Sequence, residues 1–139
     1  MTLIHIRAAE IATADVKTKY GRIYPRSLLE EFVIRHSSPN TMIMGEFGGN
    51  QTQIDDIATH ADTLRVEQIS HRIHNLRMKG DKLVADIEVL TGSKMGSLMI
   101  LQLDEVMFRL RGLTSWNTGA GVVRDFDIIA IDAYHHTLC

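Results

Sequence analysis

Cysteine is almost missing from this sequence: the one thiol, Cys139, is the last of 139 residues. A single cysteine cannot close a disulfide within its own chain, and it has no neighbouring thiol with which to build a zinc site. Proline is nearly as scarce, with two residues, and there is no Pro/Ser-rich linker or low-complexity tract to separate domains. A run of 18 apolar residues is also lacking, so no helix is expected to cross a bilayer. Charge of one sign is not in excess, since 15 basic residues stand against 17 acidic ones for a net charge of −2, and nothing pulls the whole chain toward nucleic acid. The opening MTLIHIRAAE lacks the basic, apolar and small-residue regions of a secretory signal, which leaves a cytoplasmic setting as the expectation.

What is present suits one globular unit. The chain is 45% hydrophobic and 23% charged, and a domain of this length buries roughly two-thirds of its unfolded surface. No internal repeat is found, so residues 1–139 are expected to form a single domain. TLIHIRAAEIATADV reads as an opening strand. YGRIYPRSLLEEFVIRH gives a turn and a helix, with Pro25 in the first turn and Leu28, Leu29, Phe32 and Val33 as its apolar stripe. SSPN ends it. TMIMGEF is a short apolar strand, and GGNQTQ a loop. Alternation on both sides of Gly80-Asp81 predicts a β-hairpin. GSKMGSLMILQLDE follows a Ser/Gly cluster suited to a helix start, and VMFRLRGLT and GVVRDFDIIAIDAY are two further strands, the second buried on both faces. The sum is a mixed α+β protein: a small, mostly antiparallel β-barrel of about six or seven strands, closed or half-closed, with two or more packed helices.

Three stretches in order carry a resemblance. YGRIYPRSLLEEF with the following Gly45-Glu46 is similar to an NGR-hydrophobic-YP turn and helix followed by GE. ISHRIHNLRMKGDKLVADIEVLTGSKMGSLM looks like a VSH-x-I strand, a Gly-containing hairpin, an IL-T-x-x-G stop and a helix. FRLRGLTSW with VVRDFDIIAIDAY looks like a nucleophile strand ending in RG and a final strand bearing an aspartate. Together they cover roughly residues 18–134 and resemble the procapsid (prohead) maturation proteases of tailed bacteriophages, serine proteases related in fold to the herpesvirus assemblins.

The resemblance implies that His71 is the general base. A serine hydroxyl attacks a carbonyl only when an imidazole within hydrogen-bond reach takes its proton and a third group orients the ring. Read on residues alone, His71 is one of two histidines in HRIH on a half-polar hairpin, where a surface or core role is the ordinary one. The family's nucleophile stands one or two residues before the RG pair, at positions that here hold Arg109 and Leu110. Neither can attack. Arg111 and Gly112 are retained in what the family uses as its oxyanion-hole region. Ser115 or Thr114 could stand in as nucleophile, but a strand rises about 3.3 Å per residue, which puts either hydroxyl on the order of 13 to 20 Å from the family position. TSWNTGAG reads more simply as a polar loop. For the third member Asp132 is favoured, with Asp125, Asp127, His135 and His136 as the other choices.

Other chemistry has less support. His71 and His74 lie three apart on a strand and point to opposite faces, so they cannot chelate together, and neither HRIH nor the HH at 135–136 leads us to expect a metal or any cofactor. GSKMG lacks the ending of a phosphate loop, and Trp116 is ordinary interface material. The resemblance thus implies a bacteriophage head-assembly protein, a pseudoenzyme on a serine protease fold, acting as a structural or capsid/scaffold-associated component. The alternatives are an active procapsid protease and a tail-tube-like structural module, whose architecture is similar. Capsid or scaffold proteins are the expected partners, with a homo-oligomer possible and neither membrane nor specific nucleic acid involved. The expected location is the host cytoplasm during assembly, then procapsid or virion.

Overall fold

A computed structural model describes residues 4–18, 21–37, 42–48, 64, 66–117 and 121–136, with the side chains of 114–117 outside the description. In chain order the elements are β1 (Ile4–Thr13), α1 (Arg26–Arg35), β2 (Ile43–Glu46), a 3₁₀ turn (Val66–Gln68), β3 (Ile69–Lys79), β4 (Lys82–Val89), α2 (Lys94–Ile100), a second 3₁₀ turn (Leu103–Glu105), β5 (Val106–Asn117) and β6 (Val122–His135). The loop at GGNQTQ beyond Gly48, the SSPN stretch beyond Ser37, and Cys139 fall outside the described residues.

Local chemistry explains most of these elements. Pro25 is the N-cap of α1, its φ of −60° already set for the helix, and Leu28, Leu29 and Phe32 turn to the core, where Phe32 meets Phe126 of β6 edge-on at 5.8 Å. Lys79 pairs with Lys82 across a two-residue connection, whose first residue, Gly80, has a φ of 62° that a tight hairpin requires and a side chain resists. The Ser93 hydroxyl accepts the Gly96 amide at 2.9 Å and opens α2.

Among the described residues the six strands form a four-stranded antiparallel sheet, in the order β1-β4-β3-β2, and a separate β5-β6 ribbon. The barrel expected from the sequence is therefore not closed. The ribbon meets the larger sheet along β2, which packs against β6. The described backbone pairing there is one parallel bridge, Phe47 to Ala133, with Gly48 donating to the Ala133 carbonyl at 2.8 Å. One residue earlier the ladder is interrupted, because the Glu46 amide donates to the Asp132 carboxylate at 3.0 Å. A side chain has taken the place of a strand partner, and the seam is held by side chains.

The sheet is also bent by two bulges that share one anchor. Register shifts fall between Ile6 and Ala9 on β1 and between His74 and Arg77 on β3, where Ala8 and Asn75 take positive φ values of 51° and 53°. Asp86, on β4 between them, accepts the Ala8 amide at 3.0 Å and the Asn75 side-chain amide at 3.5 Å, and pairs with Arg77 at 3.3 Å. Those donors hold its carboxyl below the usual range, the Ala8 amide foremost and burial opposing. Left-handed backbone costs a non-glycine residue about 1 kcal/mol or more, and such strain persists only where surroundings fix it.

The expectation of a polar loop at TSWNTGAG is corrected over TSWN, while residues 118–120 lie outside the described residues. The β5 backbone stays paired through Asn117, with Thr114 opposite Phe126, Ser115 opposite Asp125 and Trp116 opposite Val123. Pairing with the alternating VVRDF of β6 outweighs the polar composition of this stretch, since sheet propensity follows the partner strand as much as the residue itself.

Candidate functional site

Five of the residues singled out from the sequence, His71, Arg109, Leu110, Arg111 and Asp132, meet at the junction of β2, β3, β5 and β6. Because neighbouring residues of a strand face opposite ways, the junction has two sides. Phe108 and Leu110 share one face of β5; Arg109 and Arg111 share the other.

On the first side lies His71. Its relative exposure is 0%, and its ring meets Phe108 edge-on at 5.4 Å. Nε2 lies 2.6 Å from the Ile131 carbonyl. A carbonyl has no proton to give, so Nε2 carries the hydrogen and donates; Nδ1 then accepts from the Ser70 hydroxyl at 2.6 Å. Both ring nitrogens are engaged inside the protein. Burial lowers the pKa of His71 from 6.5 to about 4, against the raising effects of the Ile131 carbonyl and the Asp132 charge. The ring is neutral at pH 7 and takes a second proton only as the pH falls to about 4.

Gly45 makes this placement possible. It lies opposite His71 in the β2–β3 pairing, and a Cβ there would fall 1.9 Å from the Ile131 oxygen and 2.2 Å from His71 Nε2. The imidazole crosses from β3 to β6 through the space a side chain would fill.

The second side is a buried ionic cluster. Arg111, at 6% exposure, Asp132 at 2% and Glu46 at 2% are bound together: Arg111 Nε donates to Asp132 Oδ2 at 2.5 Å and Nη2 to Glu46 Oε2 at 3.0 Å. The Tyr134 hydroxyl donates to Asp132 Oδ2 at 3.3 Å, and the Arg109 guanidinium lies 4.1 Å from the centre of the Tyr134 ring. Burial opposes the charge on Arg111, but the hydrogen bond and charge of Asp132, with Glu46, outweigh it and raise its pKa. Burial and the Asp132 charge push the Tyr134 phenol up to about 12, with Arg109 opposing.

The structure thus brings together His71, Asp132, Arg111, Arg109 and Leu110. Asp132 reaches His71 through its charge and bonds Arg111 directly. Leu110 pairs with Ile131, the residue whose carbonyl holds the imidazole. The side chains of Thr114 and Ser115 lie outside the described part of the structure, while their paired backbone continues away from Leu110 along β5. Gly112 lies where a Cβ would fall 1.9 Å from the Asp127 oxygen, at the register shift between Arg111 and Gly112. Asp125 and Asp127 are exposed on β6; His135 is the last residue of that strand and His136 follows it.

Sequence reasoning passed over Ser70, Glu46 and Tyr134. Ser70 directly precedes His71, and a Ser–His hydrogen bond has the form of an activated nucleophile, yet its exposure is 0%. For Glu46 the signal was the GE pair. Tyr134 had none, apart from its place two residues after Asp132 on the same strand face.

No family model matches the chain, and no curated protein sequence does. A solved structure does: that of the bacteriophage T4 capsid assembly protease, gp21, aligns with a TM-score of 0.65 at 19% sequence identity, over 95% of this chain and 80% of that one. The chain has a capsid-assembly-protease-like fold.

Proposed function

We propose that this protein is a bacteriophage head-assembly component that keeps the fold of a capsid assembly protease and has given up proteolysis, serving as a structural partner of capsid or scaffold proteins in the procapsid. The fold likeness to a phage capsid assembly protease supports the setting. The observation that carries the loss of activity is the state of His71: fully buried, with both ring nitrogens engaged and a pKa of about 4. A general base works best with a pKa near the working pH and must reach a proton on a nucleophile beside substrate. His71 does neither, and the neighbouring positions Arg109 and Leu110 offer no hydroxyl. The imidazole acts as a cross-link between β3 and β6.

The test is to incubate the protein with the capsid and scaffold proteins of its own phage, beside a His71→Ala variant, and to probe it with a fluorophosphonate, which labels only activated hydroxyls. We expect intact substrates, no label, and co-sedimentation of the protein with procapsids. Cleavage that disappears in the variant would overturn the reading.

A further inference from the structure

The two histidines at the end of β6 play no part in the junction described above. We propose that His135 and His136, with Glu105, form a binding site for one divalent transition-metal ion of the zinc, cobalt, nickel or copper class.

Consecutive residues of a strand point to opposite faces, so an HH pair within β6 could not share a ligand. Here β6 ends at His135, and the backbone of His136 is 3₁₀ rather than extended. The change of backbone brings the second ring to the side of the first, and the two imidazoles stack at 4.6 Å between centroids, 28° apart. Glu105 closes the second 3₁₀ turn, and the next residue, Val106, pairs with His135. The carboxylate therefore meets His135, with Oε2 2.5 Å from Nε2. One donor atom from each of the three residues lies within 4.8 Å of the other two, and among the described residues no other His, Cys, Asp or Glu group of three is so gathered.

The donor set decides the class of ion. Two imidazoles and one carboxylate suit borderline cations, whereas calcium and magnesium take oxygen ligands almost throughout. At metal–ligand bonds of about 2.0–2.1 Å, tetrahedral neighbours sit roughly 3.4 Å apart. Glu105 and His136 are exposed, so side-chain rotation alone can bring three donors from 4.8 Å to that spacing. The metal would replace the hydrogen shared between Glu105 and His135. Three protein ligands leave a position for water or for a donor from another protein.

The experiment titrates tag-free protein with Zn(II) by calorimetry and with Co(II) by visible absorption. Saturable binding of one ion per chain is expected, weakened at least ~10-fold by His136→Ala and by Glu105→Gln, as losses around metal sites generally are. His74→Ala, which removes a second carboxylate-bound histidine away from the site, should leave it unchanged, and excess Mg(II) should not compete. Absence of saturable binding, binding indifferent to both site variants, or binding lost in Cys139→Ser, which would put the ion on the thiol, would each overturn the assignment. Far-UV circular dichroism of the metal-free variants confirms that they fold.

Discussion

Acid should destabilise this protein well before its carboxylates titrate, and His71 is the reason. In the unfolded chain its imidazole takes a proton near pH 6.5, whereas in the fold burial delays protonation to about pH 4. The unfolded state binds more protons between those values, so stability falls as pH falls, and the contribution of His71 is whole above 6.5 and gone below 4. The gap, at about 1.4 kcal/mol per pH unit, corresponds to about 3 kcal/mol, of which about 2 kcal/mol is lost between roughly pH 7.5 and pH 5, where unperturbed carboxylates remain largely ionised. Urea denaturation at steps across that interval reads the loss directly as a falling midpoint at constant m-value. A His71→Gln variant supplies the contrast: its amide can still donate to the Ile131 carbonyl, it does not titrate, and its stability should be nearly level across the interval. Equal slopes in the two proteins would refute the reasoning, and with it the conclusion that the ring is sealed and neutral.

Other perturbations probe the same junction from different directions. Asp132→Ala leaves Arg111 buried with one of its two carboxylates gone, and should cost about 3–5 kcal/mol in urea melts, as breaking buried ion pairs generally does. Gly45→Ala places a methyl 1.9 Å from the Ile131 oxygen; overpacking of that kind costs about 1–3 kcal/mol or more, and the loss should shrink when combined with His71→Ala, which removes one of the two clashes. Asp86→Ala removes the anchor of both bulges and should cost about 2 kcal/mol by lost charge-assisted hydrogen bonds, with amide exchange rising first at Ala8 and Asn75. Leu110→Ser returns a hydroxyl to the face of β5 that carries Phe108, yet should stay unlabelled by a fluorophosphonate, since both His71 nitrogens are engaged; labelling would mean that the imidazole is poised after all.

Much of the fold could be read from residues with local consequences. Gly80-Asp81 marked the hairpin, Pro25 and the spacing of Leu28, Leu29 and Phe32 marked α1, and Ser93 marked the start of α2. Closure could not be read in this way, because it depends on the β2–β6 seam, where the Asp132 carboxylate stands in for a strand partner of Glu46. No periodicity records that substitution. The polar TSWN failed for a similar reason: its strand state comes from β6. At the site, His71, Asp132 and Arg111 were visible as residues of a resembling pattern, but their partners were not. Gly45 looks like any glycine before a loop until the imidazole is found passing through its missing side chain, and Glu46 is one acidic residue among many until Arg111 is seen to bind it.

One imidazole cannot serve both purposes that this junction invites. Catalysis asks a histidine to exchange protons near neutral pH, which requires solvent or substrate at one ring nitrogen. Joining β3 to β6 requires that both nitrogens be satisfied inside the protein, and the burial that dries the seam is the same burial that brings the pKa of His71 to about 4. A base three units below neutrality holds a proton about a thousandfold more weakly than one tuned to pH 7. Leu110 and Phe108 bring no hydroxyl to that face of β5, and the one hydroxyl bonded to the ring, that of Ser70, is itself fully buried. The ionic cluster completes the trade, because Asp132, the carboxylate best placed to steady an imidazolium, instead holds Arg111, the Glu46 amide and the Tyr134 hydroxyl. Of those bonds the one to the Glu46 amide ties the ribbon to the sheet, the Arg111–Glu46 bond adds a second tie across the same seam, and the other two brace the ribbon itself.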